Sequence, residues 1–471
     1  MKHLAKLSIL VLPSVLAACA DAGLVREASS TRPGFSLVSE RTRQATGASS
    51  VWALSAAEVT ANEQRVGAMI KGKTIGPDTA VQVALMNNRR LQAVYADLGL
   101  SAADLWETAL GPIPSFGVTI SGIGEVGIAS SIEATITGTI LEAATLKPRK
   151  AIAETRFRQA ELSALGETIA LANETRQAWI DAVAAFEAAG LIGQTQESAD
   201  AASELAAELG RTGAMNRGDQ AREHVFSAEL AAERADARLE AQLAKERLTR
   251  LMGLWGSSVS FYIPDQLPPL PGRRPGQADV ERLALMHRTD LAIARLELEA
   301  VAREYRLEGQ TRMLSDISVA AGVEADRMET ASGRATETSR GLEVSFEIPI
   351  YDTGKLVNRR GQLAYMQAAQ TLAQDAIDAR SLARSAHAAV TGKYNIAVHW
   401  RDQVLPLRRV IDEEALRSYN GMLTSTFELI SDARDGLEAQ LSTARAKADY
   451  WRAEADMTAV IWGGSTGGTE E

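Results

Sequence analysis

A chain of 471 residues that is 46% hydrophobic is too apolar to be disordered throughout and holds the material for two or three domains. Aromatics make up only 5% while Ala, Glu, Arg and Leu dominate, which favours long helices packed through small side chains over an aromatic-rich core. A net charge of −10 without a concentrated basic face excludes nucleic acid as the main partner.

The first 18 residues read as an export signal. A basic start, Met1 to Lys6, precedes an apolar run from Leu7 to Ala18 that is too short to span a bilayer. The single cysteine, Cys19, follows Leu16-Ala17-Ala18, and the segment resembles the lipobox of bacterial lipoproteins. That resemblance implies cleavage before Cys19, a lipid on its thiol and acylation of its amine. Ala20 matches the class sorted to the outer membrane. The competing reading is a coincidental cysteine at an ordinary cleavage site. No later apolar run approaches the roughly 20 residues of a transmembrane helix, so any crossing by this chain has to use strands.

Residues 19–76 read as an extended arm and linker with a small helical run. A first repeat follows over 77–262. Its helix starts near Pro77 with Asp78 or Thr79 as N-cap and runs to about Leu110, with Val83, Leu85, Met86, Leu91, Val94 and Leu98 on one face. A β-hairpin over about 115–141 alternates Phe116, Val118 and Ile120, then Ile132, Ala134, Ile136 and Ile140, with polar or small residues. A helical hairpin over about 147–253 turns at Gly213, returns from Asp219 and carries a leucine seam at Leu230, Leu239, Leu243, Leu248 and Leu251.

A linker over 263–276 holds Pro264, Pro268, Pro269 and Pro271, and then the plan is copied. Ala84-Leu85-Met86 with Leu91 recurs as Ala284-Leu285-Met286 with Leu291, 200 positions on, which marks two large similar halves rather than a solenoid. The second repeat, 277–462, contains a helix, a β-hairpin over about 316–350 and a helical hairpin over about 355–461 turning at Gly421. Trp255-Gly256 and Trp462-Gly463 close the two halves. Residues 463–471 read as a disordered tail.

The strands, roughly 8 to 10 residues long, match the length that a tilted strand needs to cross a bilayer. Four strands cannot close a barrel, because outer-membrane barrels need at least about eight. The alternatives are two soluble hairpins packed on helices, or several chains pooling their strands.

The order of these elements, with Ala80 to Asn88 and its copy at Val280 to Asp290, Ile348 to Lys355 after the last strand, Gly213 to Asp219, and Leu248 to Leu254, resembles the TolC-type outer-membrane efflux proteins. The resemblance implies a mainly α protein with a small β part. Its duplicated helical hairpins would form a trimeric α-barrel in the periplasm, capped by a 12-stranded transmembrane β-barrel with four strands per chain. It implies a homotrimer, lipid-anchored in the outer membrane and docking a periplasmic adaptor and an inner-membrane transporter. The function implied is a passive, gated conduit for tripartite efflux or type I secretion, with drug, metal ion and polypeptide cargo all open. The first half departs from the pattern: Leu141 to Lys150 lacks the Asp-x-Gly turn of Asp352 and Gly354, and Pro148 is expected in the first turn of the following helix.

No enzyme and no cofactor are expected. Gly122-Ile123-Gly124-Glu125-Val126-Gly127 spells G-x-G-x-x-G, yet a second strand rather than a helix is expected after it. His224, His287, His387 and His399 have no metal-ligand spacing. The gate candidates are the residues around the two turns, Gly213, Arg217 and Asp219 in the first half and Tyr419, Gly421, Glu428 and Asp432 in the second, with Arg434 and Asp435 beside them. Charged constrictions select ions by sign, and Asp219 and Glu428 lead because they lie just past the turns; solvated coiled-coil faces are the plain alternative for each. Two rivals remain, a periplasmic lipoprotein scaffold of coiled coils without a pore and an envelope enzyme.

Overall fold

A computed structural model describes residues 22–121, 131–272, 280–311, 317–330, 333–346, 354–421 and 423–463. The signal, Cys19, the G-x-G-x-x-G segment, Ile348 to Thr353 and the tail after Gly463 lie outside the described residues. The chain divides into two compact units, and neither coincides with a sequence half: one draws on residues within 1–36, 96–162 and 292–375, the other on 37–95, 163–291 and 376–471.

Twelve α-helices are described. In the first half they are α1 (Ala22–Ala28), α2 (Phe35–Thr46), α3 (Ala56–Ile70), α4 (Pro77–Asn87), α5 (Arg89–Leu110), α6 (Ile140–Arg211) and α7 (Arg217–Leu251). In the second they are α8 (Val280–His287), α9 (Thr289–Thr311), α10 (Lys355–His399), α11 (Leu405–Asn420) and α12 (Thr426–Trp462), with one π turn, Trp400–Val404, between α10 and α11. The strands are β1 (Ser115–Ser121), β2 (Ser131–Thr139), β3 (Ile317–Thr330) and β4 (Gly333–Phe346).

In the first unit the strands form one antiparallel sheet in the order β1-β2-β3-β4, so the two hairpins join through β2 and β3. β3 and β4 are 14 residues each, longer than their apolar alternation suggested, because polar alternation continues the ladder to Thr330↔Gly333. α6 starts at Ile140, directly after β2, and not near Lys147. Pro148 is therefore inside the helix rather than in its first turn. It removes one backbone donor there, while Thr145 adds a side-chain bond to Leu141 O at 2.7 Å. Polar contacts tie α6 to α9: Arg156 reaches Glu297 and, at 3.1 Å, Glu304, and Arg303 donates to Thr155 Oγ1 at 2.8 Å.

Gly34, in the turn after α1, sits directly over α6. Its φ is +70°, and a Cβ there would lie 2.6 Å from Glu161 Oε1 and 3.0 Å from the Phe157 ring. Burial, with Glu27 of α1 as a second carboxylate, pushes Glu161 up to about 7; Arg158 on the same helix works against the shift. The raised value means that the folded chain prefers the neutral acid, so this stability is complete below the ordinary value of 4.5 and is lost as pH rises through about 7. Glu161→Gln is expected to melt with the wild type near pH 4.5. Near pH 8 it should be more stable by about 1 kcal/mol, after discounting for partial exposure. Scanning calorimetry at the two pH values checks it.

The second unit has a hydrophobic core of its own. Val66, Ile70, Ile75, Val83, Trp179, Val183, Leu248, Met252 and Phe261 are buried together, and Trp179 Nε1 donates to Ile75 O at 3.0 Å. The arm is more helical than an extended linker. α3 is capped by Ser55, which accepts from Glu58 N, while Leu54 N donates to the Glu58 carboxylate. The segment before it is held by two glutamines, Gln82 on Ser49 and Gln92 on Val51 and Ala53, each giving and taking a backbone hydrogen bond.

The helix expected from Pro77 to Leu110 is two helices. Its N-cap is Gly76, with Pro77 first in the helix and Asp78 paired to Arg176. It breaks at Asn88, whose Oδ1 caps Leu91 N at 3.1 Å and whose Nδ2 donates to Leu251 O at 2.8 Å. Asn87 Nδ2 serves Met252 O and Gly253 O. The break thus supplies donors to the last carbonyls of α7, which no helix can satisfy internally. The second half repeats the device with different residues: between α8 and α9, Arg288 donates to Val460 O at 3.0 Å and Thr289 to Gly463 O at 3.3 Å. Gly463 therefore corresponds to Gly253, and the Trp-Gly pairs that close the two halves are not equivalent.

The leucine seam is only partly internal. Leu230 and Leu248 are buried, whereas Leu239 and Leu243 are exposed on the isolated chain.

Candidate functional site

The gate candidates occupy two interhelical turns built on different backbone chemistry. At the first, Gly213 takes φ +75°, and Ala214 N and Met215 N both donate to Leu209 O, at 2.8 and 3.2 Å. At the second, Gly421 has φ −79° and ψ 1°, a conformation open to any L residue. The two glycines are not equivalent. Gly213→Ala should cost about 1 kcal/mol, whereas Gly421→Ala, whose Cβ would meet Arg417 O at an ordinary 3.4 Å, should stay within about 0.5 kcal/mol. Thermal melts of the two variants side by side check this.

Asp219 and Glu428 do occupy matching places, each the third residue of the helix that leaves its turn. Asn216 Oδ1 accepts from Asp219 N at 2.9 Å, and Ser425 Oγ accepts from Glu428 N at 3.3 Å. Both carboxylates lie in the first turn of a helix, where the macrodipole favours negative charge. Asp219 also receives Arg222 at 2.8 Å, and Glu428 receives the Thr424 hydroxyl. Each acid thus has a local structural role that any gating role has to share. Arg217 is the exposed first residue of α7, and Tyr419 is half-buried at the end of α11.

Behind the turns, α7 and α12 meet through Phe226, Leu230, Leu437 and Leu441, with Ile192 and Ala199 from α6. Arg434 lies over the Phe226 ring, 4.6 Å from its centroid, and pairs with Glu229. Asp435 pairs with Arg408 of α11. Asp432 is half-buried near Asp412, a residue the sequence did not single out. Burial, then the Asp432 carboxylate, raise the Asp412 carboxyl above the ordinary range, Arg408 opposes them, and Asp412 Oδ1 is buried without a hydrogen-bond partner among the described residues. Gly436 makes room for it, since a Cβ there would stand 2.9 Å from Asp412 Oδ2.

The sheet is the other unusual surface. Register puts Phe116, Ile136, Ala321 and Leu342 in one row and Ile120, Ile132 and Ala325 in another, so an apolar face runs across the strands. Phe116, Ile120, Ile132, Ile136, Leu342 and Val344 are all exposed on it. The opposite face carries Gly117, Thr135, Gly322 and Gly341 in one row and Thr119, Glu133, Glu324 and Ser339 in the next. Among the described residues β1 and β4 each leave an unpaired edge. Alone in water such a sheet would be an aggregation site.

No protein-family model matches the sequence, and no curated protein matches it. Solved structures do match over most of the chain. The Campylobacter jejuni CmeC outer membrane channel aligns with a TM-score of 0.67 at 16% identity, over 82% of this chain and 86% of that one. The outer membrane protein VceC from Vibrio cholerae gives 0.65 at 14% identity, over 82% and 96%. The open state of the Neisseria gonorrhoeae MtrE outer membrane channel gives 0.58 at 16% identity, over 82% and 88%. The doubled helical hairpins and the four-stranded sheet contributed by both halves are, in this chain, the fold of the TolC-type outer-membrane channels.

Proposed function

We propose that this chain is one of three identical protomers of an outer-membrane channel, a passive gated conduit from periplasm to exterior in a tripartite efflux pump or type I secretion system. The observation that carries this reading is the open sheet, apolar on one face, polar on the other and unpaired at both edges. In lipid every backbone group must be satisfied within the protein. Four strands from each of three chains would close one 12-stranded barrel, with the apolar face toward lipid and the Gly, Thr and Glu face toward the lumen.

The exposed Leu239 and Leu243 supply seams for neighbouring copies in the helical barrel. Asp219, Glu428 and Asp432, with Arg217 and Tyr419, would sit near the periplasmic mouth and set its charge. Adaptor and inner-membrane transporter would dock there. Cys19 would carry the lipid anchor, in which each buried methylene contributes roughly 0.8 kcal/mol. Conduction needs fixed charges and a pathway, not a reactive group, which makes the conduit reading the non-catalytic one.

The test is single-channel conductance of detergent-purified protein in a planar bilayer, with the oligomeric mass measured on the same sample. Discrete conductance from a trimer supports the shared barrel. A monomer that never conducts overturns it and favours the alternative, a periplasmic lipoprotein scaffold of coiled coils without a pore.

A further inference from the structure

In the second unit a cleft of about 160 Å³ opens where the end of α2 meets α4, α6 and α12. One side is apolar, made by the buried Val81, Ile169 and Ala455. The other side presents acceptors: Asn173 of α6, and Glu454 and Thr458 of α12, which lie one turn apart and so share a helix face.

Asn173 is the unusual member. It is only 7% exposed, and its Nδ2 donates to Asp456 Oδ1 at 3.4 Å. Asp456 takes a second amide hydrogen from Gln177, so it acts as an acceptor and fixes which end of the Asn173 amide faces it. The carbonyl end is turned away, and Oδ1 is buried with no hydrogen-bond partner among the described residues. An amide oxygen left in this way has lost its hydration with nothing in return. Neither the Glu454 carboxylate nor the Thr458 hydroxyl has a hydrogen bond to protein among the described residues. Burial pushes the Glu454 carboxyl above its ordinary range; Arg176 opposes the shift and Asp78 adds to it. Arg176 also lines the cleft, but it is already paired with Asp78 at 2.6 Å, so those two charges offset each other. Glu454 and Asp456 leave the surroundings acidic, and α2 ends on the cleft at Thr46, where a helix carries partial negative charge.

We propose that this cleft binds a small primary alkylammonium ion. Three acceptors without protein donors match the three N–H donors of an ammonium group, which has no acceptor of its own. The apolar side receives the alkyl part. A hard metal ion takes about six or more oxygens, and no group of three His, Cys, Asp or Glu able to hold one occurs among the described residues. Water would satisfy Asn173 but finds no partner on the apolar side. At roughly 30 Å³ per non-hydrogen atom the volume admits about five, the size of n-butylammonium. The site does not depend on a pore, and its failure leaves the conductance test untouched.

The experiment is a ligand-observed NMR titration of the full-length, detergent-solubilised protein with n-butylammonium, n-butanol and tetramethylammonium. Saturable binding is expected for n-butylammonium, and at least about ten-fold weaker binding for the other two, one lacking the charge and the other the N–H donors. Glu454→Gln should weaken n-butylammonium about ten-fold and Thr458→Val about three-fold, with the melting temperature of each variant unchanged. No saturable binding, as expected if water alone fills the cleft, equal binding of the three probes, or variants that bind like the wild type would each overturn the proposal.

Discussion

Gly253→Ala is expected to destabilise the protein by about 3 kcal/mol, against about 1 kcal/mol for Gly72→Ala. Both glycines have φ near +67°, at 66° and 67°, so an added Cβ carries the same conformational penalty at each. They differ in surroundings. At Gly72 nothing lies within 4 Å of the new atom, whereas at Gly253 it would stand 2.7 Å from Asn87 O and 3.1 Å from Asn88 Cα. That neighbour is backbone at the break between α4 and α5, and it can retreat only by disturbing the Asn87 and Asn88 bonds to the end of α7. Loss of two of these three bonds, at about 1 kcal/mol each, added to the left-handed penalty, gives the figure. Thermal unfolding of the two purified variants decides it: equal midpoints would mean that the break is free to shift.

On the proposed reading, Ile136→Arg should abolish recovery of the protein from an outer-membrane fraction, while Thr137→Arg should be recovered normally and conduct with altered ion selectivity. The two positions are adjacent on β2 and differ only in face. Ile136 pairs with Phe116 and Ala321 on the apolar side, Thr137 with Ser115 and Ala320 on the polar side. An arginine facing lipid near the bilayer midplane costs about 2–4 kcal/mol, once per chain, whereas one facing a lumen keeps its water. Membrane fractionation followed by reversal-potential measurements reads both outcomes. Equal recovery of the two variants would argue that the sheet does not face lipid.

Much of the fold was legible because its signals are periodic. The period-two pattern at Phe116 to Ile120 and Ile132 to Ile136 assigned the faces of β1 and β2, and Gly213 marked a turn that requires positive φ. What escaped was decided by contacts distant in sequence. Asn88 is a favoured N-cap type and so a weak local sign of the break; what fixes it there is α7, more than 160 positions on, whose end needs donors. Pro148 was read as a helix start, yet the chain is already helical when it leaves β2. Gly421 was matched to Gly213 by position, although the second turn follows a different path. The caps are readable, since Asn216-x-x-Asp219 and Ser425-x-x-Glu428 fit the capping pattern, although the sequence reading weighs both acids only as gate residues or solvated faces. Asp412 carried no local signal, because its significance comes from Asp432 one helix away.

The pairing of β2 with β3 also dictates an order of events as the chain matures. β1 and β2 emerge first, yet the partner of β2 follows only after α6, α7, the proline-rich linker, α8 and α9. Local helices form in microseconds, while closing so long a loop is slow and raises the contact order of the whole chain. During that delay Ile132 and Ile136 sit on an unpaired strand edge in water, a template for pairing with the wrong chain. The interval before β3 arrives is then the stage of folding most open to mispairing, and it is set by the sheet rather than by the helices.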